Sequence, residues 1–129
     1  MNKKKILLVD DDRPIIKAYS EGLEQAGFDT TIAYDGKEAM EAIKKEVPDL
    51  ILLDMIMPIM GGEAVLNELE KSNLFSKIPV IVVTNSVTEV DMVKRKNYEV
   101  AGYFVKSDTS LELLIQAVQK ALHQHRVDD

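Results

Sequence analysis

The stretch ILLVDDDR, residues Ile6 to Arg13, decides how the chain is read. Four consecutive apolar residues suit a strand covered on both faces. Three aspartates follow at once. Like charges so close repel one another, and a buried carboxylate costs free energy unless something neutralises it. A core strand ending in an acid cluster therefore raises the question of what balances the charge at its C-terminal end.

The unbroken apolar pattern returns at Leu50–Leu53 in PDLILLD and at Val80–Val83 in IPVIVVTN. Three such runs predict the interior strands of a parallel sheet between helix layers. The intervening segments carry helical spacing. Ile16, Tyr19, Leu23 and Ala26 fall on one helix face, and Gly27 ends that helix in the left-handed region. FDTTIAY is the second strand, with Phe28, Thr30, Ile32 and Tyr34 on one side. Asp35 and Glu38 open the next helix, which turns Ala39, Met40, Ile43 and Val47 inward until Pro48 stops it. EAVLNELEKS and roughly Thr88 to Asn97 give two further helices, and AGYFVK a fifth strand. Thr109 and Glu112 form a capping pair for a last helix lined by Leu111, Leu114, Ile115, Val118 and Leu122. Five β-α units predict an α/β fold, a five-stranded parallel doubly wound sheet with helices on both faces. No repeat or linker interrupts residues 1–129, so a single domain with no output domain is expected.

Composition narrows the function classes. There is no cysteine, hence no disulfide framework and no thiolate metal site. The basic start MNKKK precedes only four apolar residues, too few for a signal-peptide core or a membrane span. A cytoplasmic protein with no membrane association is expected. The formal net charge of −6 disfavours direct nucleic-acid binding. Lys3–Lys5 and Lys94–Lys96 are small solvated exceptions. Met55, Met57 and Met60 are assigned to packing rather than to copper, since no Cys or His accompanies them. His123 and His125 are assigned to the surface at the end of the last helix.

In an open parallel sheet, ligands bind outside the C-terminal ends of the strands. Those ends carry Asp10 and Asp11, then Asp54, Thr84 and Lys106. Asp12, just ahead of Pro14, is assigned to capping the first helix. If strands one and three are neighbours, about 5 Å apart, two of the carboxylates repel by roughly 3 kcal/mol at an effective dielectric near 20. A divalent cation removes that repulsion. Few ligands, all of them oxygen, favour Mg²⁺ over Ca²⁺. Mg²⁺, a carboxylate and a lysine are the parts of a phosphoryl-transfer site, and the carboxylate can itself be the nucleophile.

With ILLVDDDR, PDLILLDMIMP, VIVVTNS and GYFVKS in this order and spacing, the chain resembles the receiver domain of two-component response regulators. The resemblance implies a flavodoxin-like sheet with strand order 2-1-3-4-5. It implies Asp54 as phosphoacceptor, with Mg²⁺ held by Asp10, Asp11, Asp54 and the backbone carbonyl of Ile56. Thr84 would hydrogen-bond a phosphoryl oxygen, Lys106 would pair with the phosphoryl group, and Tyr103 would be the switch aromatic that turns inward as Thr84 moves. The donor would be a phosphohistidine on a histidine kinase or phosphotransfer protein. The output would be altered binding of a downstream protein through the Thr84–Thr88 loop and the Tyr103 face, from a signalling domain rather than an enzyme. Ile56 and Ser86 would flank the path of attacking water, and an aliphatic Ile56 implies slow self-dephosphorylation.

Three positions depart from the family pattern. Ser107 stands where proline usually follows the lysine, which leaves the Lys106–Ser107 bond open between trans and an enforced cis form. Asn85 replaces a small residue after the threonine, where it would narrow access to Asp54. KNYEVAGY lacks the glycine usual between the fourth helix and the fifth strand, and Asn97 is expected to supply the left-handed turn. Two other function classes share part of this pattern. A phosphorylation-independent interaction module would keep the fold and lose the chemistry. A haloacid-dehalogenase-type phosphatase shares the D-x-D spacing of Asp10 and Asp12, but Pro14 stands where that motif has Thr or Val. A flavin domain is disfavoured because acids, not a phosphate cradle, follow the first strand.

Overall fold

The computed structural model describes residues 3–127, with side chains as far as Gln124, so the assignment of His125 lies outside the described side chains. Five parallel strands, β1 (Lys5–Val9), β2 (Asp29–Ala33), β3 (Leu50–Leu53), β4 (Val80–Thr84) and β5 (Gly102–Val105), form one sheet in the order β2-β1-β3-β4-β5. They alternate with helices α1 (Arg13–Gln25), α2 (Gly36–Lys45), α3 (Gly62–Lys71), α4 (Val87–Arg95) and α5 (Leu111–Val127), and a 3₁₀ turn at Lys106–Asp108 precedes α5. The expected fold class and strand order are both observed.

The three unbroken apolar runs lie at the centre because they serve two cores at once. Leu7, Val9, Ile51, Leu53, Val80 and Val82 point to one face, against Ala39 and Ile43 of α2, Val65, Leu66 and Leu69 of α3, and Val93 of α4. Ile6, Leu8, Leu50, Leu52, Ile81 and Val83 point to the other, against Ile16 and Leu23 of α1 and Leu114, Val118 and Leu122 of α5. Period-two alternation thus distributes one strand between two helix layers. The edge strands need less apolar cover, and Ile32 on β2 is exposed.

Local signals place the helix ends. Asp12 caps α1 by accepting from Ile15 N at 3.2 Å, as expected. Asp35 accepts from Glu38 N at 2.8 Å, and the Glu38 carboxylate accepts in return from Tyr34 N at 2.9 Å. Gly27 (φ 100°) and Asn97 (φ 59°) both take the left-handed turns assigned to them. Four details differ from the sequence expectation. Ala26 is the exposed cap of α1 rather than part of its buried stripe. Val47 is exposed because α2 ends at Lys45 and Glu46 is extended, so helical spacing no longer governs it. α4 begins one residue early, capped by Ser86, which accepts from Glu89 N at 3.1 Å. The α5 cap is Ser110, accepting from Leu113 N at 3.1 Å, while the Thr109 hydroxyl donates to Val105 O at 2.9 Å and its backbone N–H closes the 3₁₀ turn on Lys106 O at 3.2 Å. Among the described residues no peptide bond is cis, so Lys106–Ser107 is trans.

Candidate functional site

The parallel register sets the site. Val9 pairs with Leu53, and Asp54 N donates to Val9 O at 2.9 Å, so Asp10 and Asp54 leave adjacent strands side by side. Thr84 pairs with Val105, so Lys106 follows directly at the neighbouring end. The carboxylate oxygens of Asp10, Asp11 and Asp54 come within 4.8 Å of one another. Asp10 and Asp54 are buried and Asp11 is exposed, giving the cluster a wet side.

Each buried acid is held on one oxygen and offered on the other. Asp10 accepts from Asp12 N at 3.0 Å through Oδ1, and its Oδ2 lies 2.6 Å from Lys106 Nζ. Asp54 accepts from Met55 N at 2.8 Å through Oδ1, and its Oδ2 lies 3.3 Å from the same ammonium. Backbone amides therefore fix both carboxylates before any ligand arrives. Burial raises the pKa of Asp10, outweighing the Lys106 and Asp12 hydrogen bonds that favour its anion, with Asp54 adding repulsion. Burial alone would lower the Lys106 pKa, but the Asp10 hydrogen bond and the Asp54 charge outweigh it and raise the value. The partners move the same way for different reasons: the lysine is over-supplied with anions, and the aspartate is short of solvent.

Three carboxylates against one ammonium leave two negative charges uncompensated, the charge of a divalent cation. The donors are all oxygen and one side is open, which fits Mg²⁺ sharing its coordination with waters and a phosphate. The cluster is shallow. The larger surface hollows lie around Lys5, Glu46 and Asp49, at the opposite end of the strands; the acid site is marked by its chemistry, not its volume.

Of the other expected residues, Thr84 ends β4, Ile56 follows β3 and Tyr103 lies within β5. Thr84 is almost fully buried and its hydroxyl accepts from Ser86 N at 3.3 Å. Ile56 is exposed on the loop after β3. Tyr103 faces outward, with Lys94 Nζ 4.9 Å from its ring centroid. That loop is shaped by two tight features. A Cβ on Gly62 would fall 2.5 Å from the Asp54 carbonyl oxygen, so α3 can start against the end of β3 only without a side chain there. Ile59 has φ 68° and sits in a γ-turn closed by Met60 N donating to Pro58 O at 2.7 Å. A β-branched residue is strained in that region.

Two features of the site were not anticipated. Tyr19, assigned to the α1 core face, is half-buried beneath the site and lines a small void with Asp10, Asp54 and Val83. Its helical spacing identified a core position but not what lies above it. Asn85 and Ser107, noted separately as departures, touch: Ser107 N donates to Asn85 Oδ1 at 2.9 Å.

The family model for the response regulator receiver domain matches residues 6–119. A CheY-like response regulator receiver domain protein from Methanospirillum hungatei is similar in structure, with a TM-score of 0.89 and 26% identity over 99% of this chain and 100% of that one. The receiver domain of the Francisella response regulator 1452 gives a TM-score of 0.84 and 30% identity over 95% and 98%. The chemotaxis response regulator CheY4 of Vibrio cholerae gives 0.81 and 27% over 93% and 99%.

Proposed function

The chain belongs to the response regulator receiver family, and on that premise we propose that its Asp54 accepts a phosphoryl group from a phosphohistidine of a histidine kinase or phosphotransfer protein. A carboxylate oxygen of Asp54 forms the new bond to phosphorus as the P–N bond of the donor breaks, and the electron pair stays on the imidazole nitrogen. The observation that carries this proposal is the convergence of three strand ends on one point, where Lys106 Nζ lies 2.6 Å from Asp10 and 3.3 Å from Asp54.

Asp10, Asp11, Asp54 and the Ile56 carbonyl would hold Mg²⁺, which when bound neutralises charge on the phosphoryl oxygens. Lys106, held between Asp10 and Asp54, would present its ammonium to the incoming phosphoryl group as a charge already in place. Thr84 supplies a hydroxyl from the adjacent strand end. The segment from Asn85 to the start of α4 then shifts with it, and Tyr103 turns from its exposed position into the space vacated. That change is the signal read by a downstream protein. The domain catalyses its own modification and turns over no separate substrate. Among the described residues no helix is long and apolar enough to cross a membrane, and a cytoplasmic domain with neither a membrane nor a nucleic-acid partner of its own suits this role.

The test is intact-mass spectrometry after incubation with acetyl phosphate, with and without Mg²⁺, on the wild type and Asp54→Ala. One added phosphoryl group that needs both Mg²⁺ and Asp54 is expected. No adduct on a folded, Mg²⁺-binding protein would overturn the proposal and leave a phosphorylation-independent interaction module.

A further inference from the structure

The β4–β5 ladder ends at the pair Thr84 and Val105. One residue beyond Thr84, the Asn85 side chain continues the ladder, its carbonyl oxygen accepting from Ser107 N at 2.9 Å. The bond joins the segments that carry Thr84 and Lys106, across 22 positions of sequence. It needs two particular choices at once. Position 107 must have a backbone N–H, which proline lacks. Position 85 must have a side-chain acceptor, which a small apolar residue lacks. The trans bond before Ser107 and the 3₁₀ turn that starts at Lys106 are the backbone context in which this N–H meets its acceptor.

We propose that Asn85 is a positioning residue that latches the Thr84 segment to the Lys106 segment, fixing the spacing of the hydroxyl and ammonium groups for phosphoryl transfer. The latch rests on the phosphoryl-transfer proposal above. Asn85 and Ser107 are both exposed, and neither is part of the acid cluster, so the latch acts on the geometry of Thr84 and Lys106 and removes no metal ligand. Its effect therefore separates two quantities: the rate of phosphoryl uptake depends on it, and Mg²⁺ affinity does not.

The experiment compares wild type, Asn85→Ala, Ser107→Pro, Ser107→Ala and the double variant Asn85→Ala/Ser107→Pro. It measures the rate of phosphoryl uptake from acetyl phosphate, Mg²⁺ affinity by calorimetry and, where an amide exists, hydrogen exchange at residue 107. Loss of one exposed hydrogen bond is expected to slow uptake on the order of fivefold in Asn85→Ala and in Ser107→Pro. The double variant should be no slower than the slower single one, because both changes remove the same bond. Ser107→Ala keeps the amide and should slow uptake less than Ser107→Pro. Residue 107 should exchange faster in Asn85→Ala than in wild type. Multiplying single effects, a fall in Mg²⁺ affinity that accounts for the slower uptake, or equal exchange at residue 107 would each overturn the latch. Absence of any phosphoryl uptake by the wild type would instead overturn the phosphoryl-transfer proposal and with it the positioning role, while the exchange comparison would still decide whether the bond forms.

Discussion

Replacing Lys106 by methionine keeps most of the side chain's volume and removes its charge. Asp10 and Asp54 then face each other with oxygens within 4.8 Å and no cation between them. Two full charges at that distance repel by roughly 3 kcal/mol at an effective dielectric near 20, and breaking a buried ion pair costs about 3–5 kcal/mol in general. The fold has one escape, which is to keep a proton on Asp10, whose pKa burial already raises. A carboxylate with a raised folded pKa destabilises the fold once the pH exceeds its unfolded value, so the variant should lose stability as the pH climbs from about 4. In the wild type the raised Lys106 pKa acts in the opposite sense: its contribution is complete below 10.5 and is lost only as the pH rises through the still higher folded value. Urea unfolding of both proteins without Mg²⁺ should show a small difference at about pH 4 and a deficit of about 3 kcal/mol in the variant near neutrality. Saturating Mg²⁺ should remove most of that deficit, because it replaces the missing positive charge. A deficit independent of both pH and Mg²⁺ would mean that lost packing, not charge, is what Lys106→Met changes, and would refute the electrostatic account of the cluster.

Ile59→Asn should raise stability by about 1 kcal/mol in urea unfolding, since asparagine tolerates positive φ and the side chain it replaces is 81% exposed. Ser110→Ala should cost about 1 kcal/mol by thermal unfolding through loss of the α5 cap. Ile56→Asn should speed loss of the phosphoryl group from Asp54, followed as decay of the mass adduct, because an amide can orient water where an aliphatic chain cannot; an unchanged decay rate would exclude that role for position 56.

Much of this molecule could be read from the sequence because the strongest signals are enforced by burial. Leu50–Leu53 and Val80–Val83 could be nowhere but between two helix layers, and parallel topology then sends Asp10, Asp54, Thr84 and Lys106 to one end of the sheet. Details set by competition between nearly equal local choices were less legible. Thr109 and Ser110 are both able caps, and a local hydrogen bond to the Val105 carbonyl, four residues back, assigns the threonine elsewhere. Val47 kept helical spacing in the sequence but lost it in space once Glu46 became extended. Contacts between different loops left no sequence periodicity at all. Asn85 and Ser107 stood out singly, and only the β4–β5 register shows that they meet.

The pairing of Lys106 with Asp10 also has a kinetic side. Bringing together residues 10 and 106 closes most of the chain into a single loop, at a conformational cost of about 4 kcal/mol beyond a length-independent constant. Local α-helical turns cannot repay that cost; only the completed sheet can. An unfinished or partly unfolded chain can therefore carry Asp10, Asp54 and even their neighbouring helices without delivering an ammonium group to them. On the proposed chemistry, acceptance of a phosphoryl group would be a property of the fully assembled topology, withheld from chains still emerging from synthesis.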